Sequence, residues 1–394
     1  MKRNLLFFLI VIATAIIMVV VALYVPNALP THTDFSAIYN TDLALVNRIP
    51  IYDIPRVEAF AAERSGISAE KFFLAQFPYP PWYALSTFYL GLLPAKAAAT
   101  LWFEINLAML FLSIWLLTDG WSGRARLIAF PLTLFFLPVL GALSVGQYDF
   151  PVLLGISLLI YSLRRENVPL TMLGLVLLTF KPHVGALILL ATLGWLLYNG
   201  GSFGRRVMRS VVLTGVFLVA AGFIADLSWV VSYPRMLLNY QNEGNVSACS
   251  ECASLPVFLS RWLFNGSLTN AIWIALVVLF ILVILFYLIR SSSNTSHELL
   301  VSAALLATLL ASPYLYNYDF LLLLLPFAVV INKSNLMQKM IVFICYLVPT
   351  FALLLFGRGG NISLIIVTVG MAALVYVQLI HMKKPVIDVP ATAA

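Results

Sequence analysis

The sequence predicts an all-α integral membrane protein with about twelve transmembrane helices. Three observations carry that prediction. Of its 394 residues, 62% are hydrophobic and 10% are charged, less than half the ~25% charged content of soluble domains. Mean hydropathy is +0.99. Apolar runs long enough to cross a ~30 Å hydrocarbon core recur along the chain. One long stretch of mixed composition, 26–96, reads as a first extracytoplasmic loop carrying short interfacial helices.

The first apolar run, 5–25, follows Met1-Lys2-Arg3-Asn4. It exceeds the 7–15 residues of a signal-peptide core, so it is expected to stay as the first helix with its basic start in the cytoplasm. The remaining spans are expected at 97–117, 127–143, 150–163, 168–181, 183–199, 210–226, 268–289, 298–311, 317–332, 337–356 and 361–380. Residues 80–93 are apolar but short, open on Pro80-Pro81 and stop at Pro94. If they do not cross, basic residues fall in every cytoplasmic loop, including Arg124, Arg126, Arg164, Arg165, Arg205, Arg206, Lys333 and Lys339. The non-crossing arrangement is therefore preferred. It makes 1–394 a single polytopic domain with large extracytoplasmic loops at 26–96 and 227–267. The net charge of +7 then belongs with anionic lipid rather than nucleic acid.

This topology gathers polar chemistry on one side. Eleven of the sixteen acidic residues land there, with the turns Gly146-Gln147-Tyr148-Asp149, Lys181-Pro182-His183 and Ser312 to Asp319. Asp34, just past the first helix, is placed either as a general base with an adjustable pKa or as a helix cap. Lys181 at a helix junction calls for an anion or snorkels to the interface. Gln147, Tyr148 and Asp149 suit a sugar hydroxyl or a phosphate; Asp149 equally suits a cap. Tyr314, Tyr316 and Tyr318 with Asp319 suit a saccharide wall or an interfacial aromatic belt. Cys249-Ser-Glu-Cys252 reads as a local disulfide or two free thiols. No Walker loop, dinucleotide fingerprint or His-Glu-x-x-His is present.

Asp34-Phe35…Tyr39, Arg48 to Asp53, Phe77-Pro-Tyr-Pro-Pro81, Gly146 to Asp149, Lys181-Pro182-His183 and Ser312-Pro313-Tyr314…Tyr318-Asp319 occur in an order that resembles the GT-C class of membrane glycosyltransferases, and glycosyltransferase family 87 in particular. The resemblance implies a GT-C-like fold and a hexosyltransferase, mannosyltransferase-like, of glycolipid biosynthesis. A sugar, mannose or another hexose or pentose, would pass from a polyprenyl-phosphate donor to a lipid or glycan acceptor on the outer face of a bacterial cytoplasmic membrane. By position, Asp34 would deprotonate the acceptor with inversion at the anomeric carbon. Lys181 and His183 would hold the donor phosphate, and Tyr79, Gln147, Tyr148, Asp149, Tyr314, Tyr318 and Asp319 would line the donor pocket. Asp34 has no adjacent carboxylate, and neither a metal nor another cofactor is expected. The competing class is a multi-pass transporter or a flippase for lipid-linked saccharides. Transporters place ionisable groups at mid-membrane, and Glu104 is the one strongly mid-helix carboxylate here.

Overall fold

The computed structural model describes residues 2–29, 33–65, 77–243, 252–262, 296–312 and 314–381, with Leu279 and Val283 between. Every regular element among them is helical. Helix α1 (Lys2–Ala28) leads to three short helices, α2 (Asp34–Val46), α3 (Ile54–Ser65) and α4 (Pro81–Thr87), the last continuing as a 3-10 turn, Phe88–Leu92. Then follow α5 (Ala95–Leu117), α6 (Gly123–Leu134), α7 (Leu137–Val145), α8 (Asp149–Leu163), α9 (Val168–Leu178), α10 (Pro182–Asn199) and α11 (Gly201–Ala225). Beyond the membrane-length α11 come α12 (Trp229–Glu243) and α13 (Leu255–Trp262), and then α14 (His297–Ala311). A 3-10 segment, Asn317–Leu323, runs into α15 (Leu324–Asn332); α16 (Leu336–Phe356) and α17 (Asn361–His381) close the bundle. The expected span at 268–289 lies outside the described residues apart from Leu279 and Val283.

Local chemistry sets these boundaries. Proline stands in the first turn of α4, α7, α9 and α10, where its missing N–H costs nothing and its φ suits a helix. Asn167 accepts a bond from Leu170 N at 3.0 Å, and Asn335 forms a capping box with Gln338.

Among the described residues, four helical stretches are long and apolar enough to cross a membrane: Ala95–Leu117, Pro182–Asn199, Gly201–Ala225 and Leu336–Ile380. A fifth is counted if the pair Gly123–Leu134 and Leu137–Val145, bent by 59°, acts as one span. Among the described residues the count of twelve is thus not reached. The reason is length. Helix α9 has 11 residues and α8 and α14 have 15 each, about 16 and 22 Å at 1.5 Å per residue, short of ~30 Å. Their apolar character serves the interior instead. Fourteen of the fifteen residues of α8 are buried. Glycines let it approach α9 closely: a Cβ at Gly155 would lie 2.9 Å from the Gly174 carbonyl oxygen.

The bundle has two polar ends. Arg164, at the close of α8, pairs with Glu298 at the start of α14, and Lys333 meets the same carboxylate at 2.9 Å. At the opposite end of α8, Asp149 meets Lys181.

Residues 81–92 are twelve in number and too short to cross alone. They pack on α2, where a Cβ at Gly91 would lie 2.4 Å from the Asp42 carbonyl oxygen, and Thr87 donates to Asp42 Oδ1 at 3.0 Å. Asp42 is fully buried, and burial holds its carboxyl well above the usual carboxylate range despite the Thr87 bond. Stability from such a raised group is complete below its unfolded pKa and is lost as pH rises through its folded pKa. Asp42→Asn should therefore raise the melting temperature at neutral pH and change it little in acid. Equal melting temperatures at neutral pH would contradict a neutral buried carboxyl.

Candidate functional site

Asp34 opens α2 behind Thr33, whose extended backbone (φ −117°, ψ 170°) breaks the chain direction after α1. A carboxylate in a first helical turn is favoured by the helix dipole. Phe35 and Ile38 are fully buried, which anchors the turn and leaves Asp34 half-buried at the edge of the interior.

Gly146 brings the next piece in. It ends α7 in the left-handed region at φ 69°, and a Cβ there would lie 2.7 Å from Phe35 Cβ. Only glycine satisfies both demands. The Trp102 indole donates to the Gly146 carbonyl at 2.9 Å. Held so, Gln147 Nε2 donates to Asp34 Oδ2 at 2.6 Å. Its own carbonyl oxygen accepts from Tyr148 N at 2.8 Å, which fixes the amide orientation. The Tyr148 hydroxyl donates to the Asp34 carbonyl at 3.2 Å. A side-chain bond from Tyr318 also reaches the Asp34 carboxylate. Burial raises the Asp34 carboxyl above its ordinary value, while Tyr318, Lys181 and Gln147 oppose the rise.

Behind Asp34 lies a buried ion cluster. Lys181, 2% exposed, donates to Asp149 Oδ1 and Oδ2 at 2.9 and 3.0 Å and also bonds Asp319 Oδ1. Asp319 Oδ2 accepts from Tyr316 N at 2.6 Å, capping the 3-10 segment. The Lys181 ammonium stands 5.9 Å from the centre of the Tyr318 ring, and Tyr316 stacks on Tyr318 at 5.1 Å. Tyr318 is thus a strut between the cluster and Asp34. Tyr314 and Tyr316 touch through their hydroxyls at 3.2 Å.

An aromatic box forms the remaining wall. Tyr79 and Tyr148 lie 4.0 Å apart between ring centres, with Phe77 and Tyr83 stacked alongside at 5.7 Å. The Tyr52 hydroxyl donates to the Tyr79 carbonyl at 2.7 Å, and Trp82 Nε1 donates to Thr179 Oγ1 at 2.9 Å.

Asp34, Gln147, Tyr148, Asp149, Lys181, Tyr318 and Asp319 therefore converge, with Tyr79 packed on Tyr148 and Tyr314 at the outer edge. His183 is exposed beside Lys181 and makes no hydrogen bond among the described residues. Lys181, expected to meet a donor phosphate, has its ammonium enclosed by two carboxylates. Trp102, Thr179 and Trp82 brace the site without having been singled out from sequence; in a chain with eight tryptophans, nothing marks these out before the fold is known. Among the described residues no three His, Cys, Asp or Glu side chains converge as a metal-ligand group; Asp149 and Asp319 share Lys181 between them.

One further contact orients the site. Ala253 N donates to the Leu315 carbonyl at 2.7 Å, so the segment after Cys252 lies on the segment that carries Tyr314 to Asp319. Cys252 is disulfide-bonded and Cys345 is free and buried.

A chain with Asp34 presented by a cage of donors, on a helical scaffold with membrane-length apolar helices, is consistent with group transfer at a membrane. No curated protein and no solved structure matches the chain. The family model for glycosyltransferase family 87 matches residues 77–313, taking in the aromatic box, Gln147 to Asp149 and the Lys181 turn. More than half of the chain is covered, and the protein belongs to glycosyltransferase family 87, a family of membrane glycosyltransferases that move a sugar from a donor to an acceptor.

Proposed function

We propose that the protein transfers a hexose from a polyprenyl-phosphate donor to a lipid or glycan acceptor, with inversion, on the extracytoplasmic face of a bacterial cytoplasmic membrane. The observation that carries this reading is the half-buried Asp34 carboxylate, held by Gln147 and Tyr318 while the deeper Asp149 and Asp319 are committed to Lys181. That leaves one carboxylate poised as a base. Asp34 takes the proton of the acceptor hydroxyl as its oxygen forms the bond to the anomeric carbon. The bond from that carbon to the phosphate oxygen breaks on the opposite face, and polyprenyl phosphate departs. A single displacement inverts the anomeric centre.

Exposed His183, at the start of α10, is assigned to the departing phosphate, aided by the helix N-terminal field. Lys181 acts from behind, holding Asp149 and Asp319 so that Tyr318 stays on Asp34. The aromatic box and Tyr314 are assigned to the sugar. The extracytoplasmic face is supported by the Cys252 disulfide, because disulfides persist in oxidising compartments and this one adjoins the Tyr314 to Asp319 wall.

Purified protein in liposomes should release polyprenyl phosphate when given the matching polyprenyl-phosphate hexose and an acceptor extract. No turnover with any polyprenyl-phosphate sugar, alongside turnover with a nucleotide sugar, would overturn the donor. In oriented membranes, activity should require acceptor on the non-cytoplasmic side.

The pH profile gives a separate check. The base works ionised, so the rate falls as pH drops through the Asp34 pKa, which burial raises. Gln147→Leu removes a bond that favours the ionised form, so the acid limb of kcat/KM should move to higher pH. An unmoved limb would remove Gln147 from the site.

A further inference from the structure

The backbone at the bend between α6 and α7 is answered from another helix. Phe136 holds the N-cap position of α7 with an extended backbone (φ −81°, ψ 107°) and carries no capping oxygen. Of the first three positions of α7, Pro138 has no N–H, and Val139 N donates to the Phe136 carbonyl at 2.8 Å. Leu137 N is the donor left over. It donates to Thr350 Oγ1 at 3.2 Å, and the same hydroxyl donates to the Phe135 carbonyl at 3.4 Å. One turn earlier on α16, the Tyr346 hydroxyl donates to the Leu132 carbonyl. Its ring stacks on buried Phe136 at 5.5 Å between centres.

Thr350 is well inside α16, which has twenty-one residues: it stands about 21 Å into a helix about 32 Å long. At that depth no water replaces a missing partner, so a broken helix needs its freed groups met by protein. Thr350 therefore does from α16 what a Ser or Thr at the N-cap does for an ordinary helix.

The bend aims α7 at the site. Helices α6 and α7 are bent by 59°. Helix α7 ends on Gly146 and hands Gln147 to Asp34 at 2.6 Å. It also passes the second donor to that carboxylate: a Cβ at Gly141 would lie 3.7 Å from Tyr318 Cβ. From Leu137 to Gln147 the axis runs about 15 Å, so a tilt of roughly 5° at the bend carries the amide about 1.3 Å. Misplacement by about 1 Å is enough to cost on the order of 10² in rate.

We propose that Thr350 and Tyr346 are positioning residues for sugar transfer, clasping the α6–α7 bend so that α7 presents Gln147 to Asp34. They act through α7 and not on substrate. The kinetic consequence rests on Asp34 as the base, whereas the clasp is read from hydrogen bonds alone.

Thr350→Val keeps the shape of the side chain and removes its hydroxyl. In the full chain in phosphatidylcholine–phosphatidylglycerol vesicles it should lower kcat about tenfold with little change in donor KM. The acid limb of kcat/KM should move to higher pH, the direction expected of Gln147→Leu. In the Gln147→Leu background Thr350→Val should move the limb no further, because the two act through one bond. Thr350→Ser should recover most of the rate and the parental limb. Hydrogen–deuterium exchange reads the clasp without any donor: Thr350→Val should speed exchange at the Gln147 and Tyr148 amides about tenfold, and Thr350→Ser should not. Tyr346→Phe keeps the stacking on Phe136, should shift both readouts the same way, and carries the test if Thr350→Val does not fold. If no polyprenyl-phosphate sugar turns over in the parent, the donor reading falls and exchange still decides the clasp. Parental rate, limb and exchange in Thr350→Val, a Ser variant as impaired as the Val variant, or a limb shift that adds to that of Gln147→Leu would each overturn the proposal.

Discussion

Asp34→Asn is expected to leave the protein folded and to lower sugar transfer by about 10²–10⁴-fold, the usual contribution of a positioned general base. The amide has nearly the shape of the carboxylate, and its oxygen still accepts from Gln147 Nε2, which lies 2.6 Å from Asp34 Oδ2. The Tyr148 bond to the Asp34 carbonyl is untouched. Melting behaviour should therefore match the parent while kcat collapses. The residual rate should also lose the acid limb that the ionisation of Asp34 imposes. Rates within threefold of the parent, or a retained acid limb, would move the base elsewhere. Asp34→Glu is the companion variant. It keeps the ionisable group but displaces it by one methylene from Gln147 and Tyr318, so it should recover only part of the rate.

Lys181→Met is expected to destabilise the fold by about 3–5 kcal/mol, the range for removing one partner of a buried ion pair. Two carboxylates, at 0% and 2% exposure, would then face each other with no cation between them. The effect spreads because the three residues belong to different parts of the chain: Asp149 opens α8, Lys181 precedes α10, and Asp319 caps the 3-10 segment before α15. Combining Lys181→Met with Asp149→Asn and Asp319→Asn should restore much of the melting temperature, since neutral groups remove the repulsion. Activity should return less completely, because Tyr318 loses the charged neighbours that hold it against Asp34. A Lys181→Met protein with unchanged melting temperature but a raised KM for the donor would restore the phosphate-binding role to this lysine.

Much of the site was legible before the fold was known, and for one reason. In a chain this apolar, a carboxylate, amide or ammonium at a helix junction has to be answered by something. Asp34, Gln147, Asp149, Lys181 and Asp319 stood out on that ground. What answers each was not legible. Lys181 called for an anion, and the anions are Asp149 and Asp319, each already a separate candidate for contact with substrate. Pairing them requires knowing which turns meet. Gly146 and Trp102 carry no chemistry, so their placing of Gln147 became visible only through the close approach to Phe35.

That the twelve expected spans are not reached among the described residues has a physical reason as well. Hydropathy measures transfer out of water and does not distinguish lipid from protein interior. Helix α8 is as apolar as a span because it is surrounded by other helices, and at fifteen residues it needs no more length than that role demands. The bend between α6 and α7 was hidden in one continuous apolar run, although Pro131 and Pro138 stand on either side of it.

The spacing of the cluster along the chain bears on how the molecule is made. Asp149 and Lys181 are 32 residues apart, whereas Lys181 and Asp319 are separated by 138. At 5–20 residues per second, the ribosome needs on the order of ten seconds to extend from the lysine to its second carboxylate. During that interval the early pair can be enclosed as a neutral unit, and no lone charge has to enter the growing bundle. Asp319 arrives only when the backbone of Tyr316 is there to share it, and Tyr318 reaches Asp34 with the same segment. In the proposed mechanism, competence is thus deferred until most of the polypeptide has been inserted, and a nascent chain truncated before this segment holds Asp34 without the contact from Tyr318.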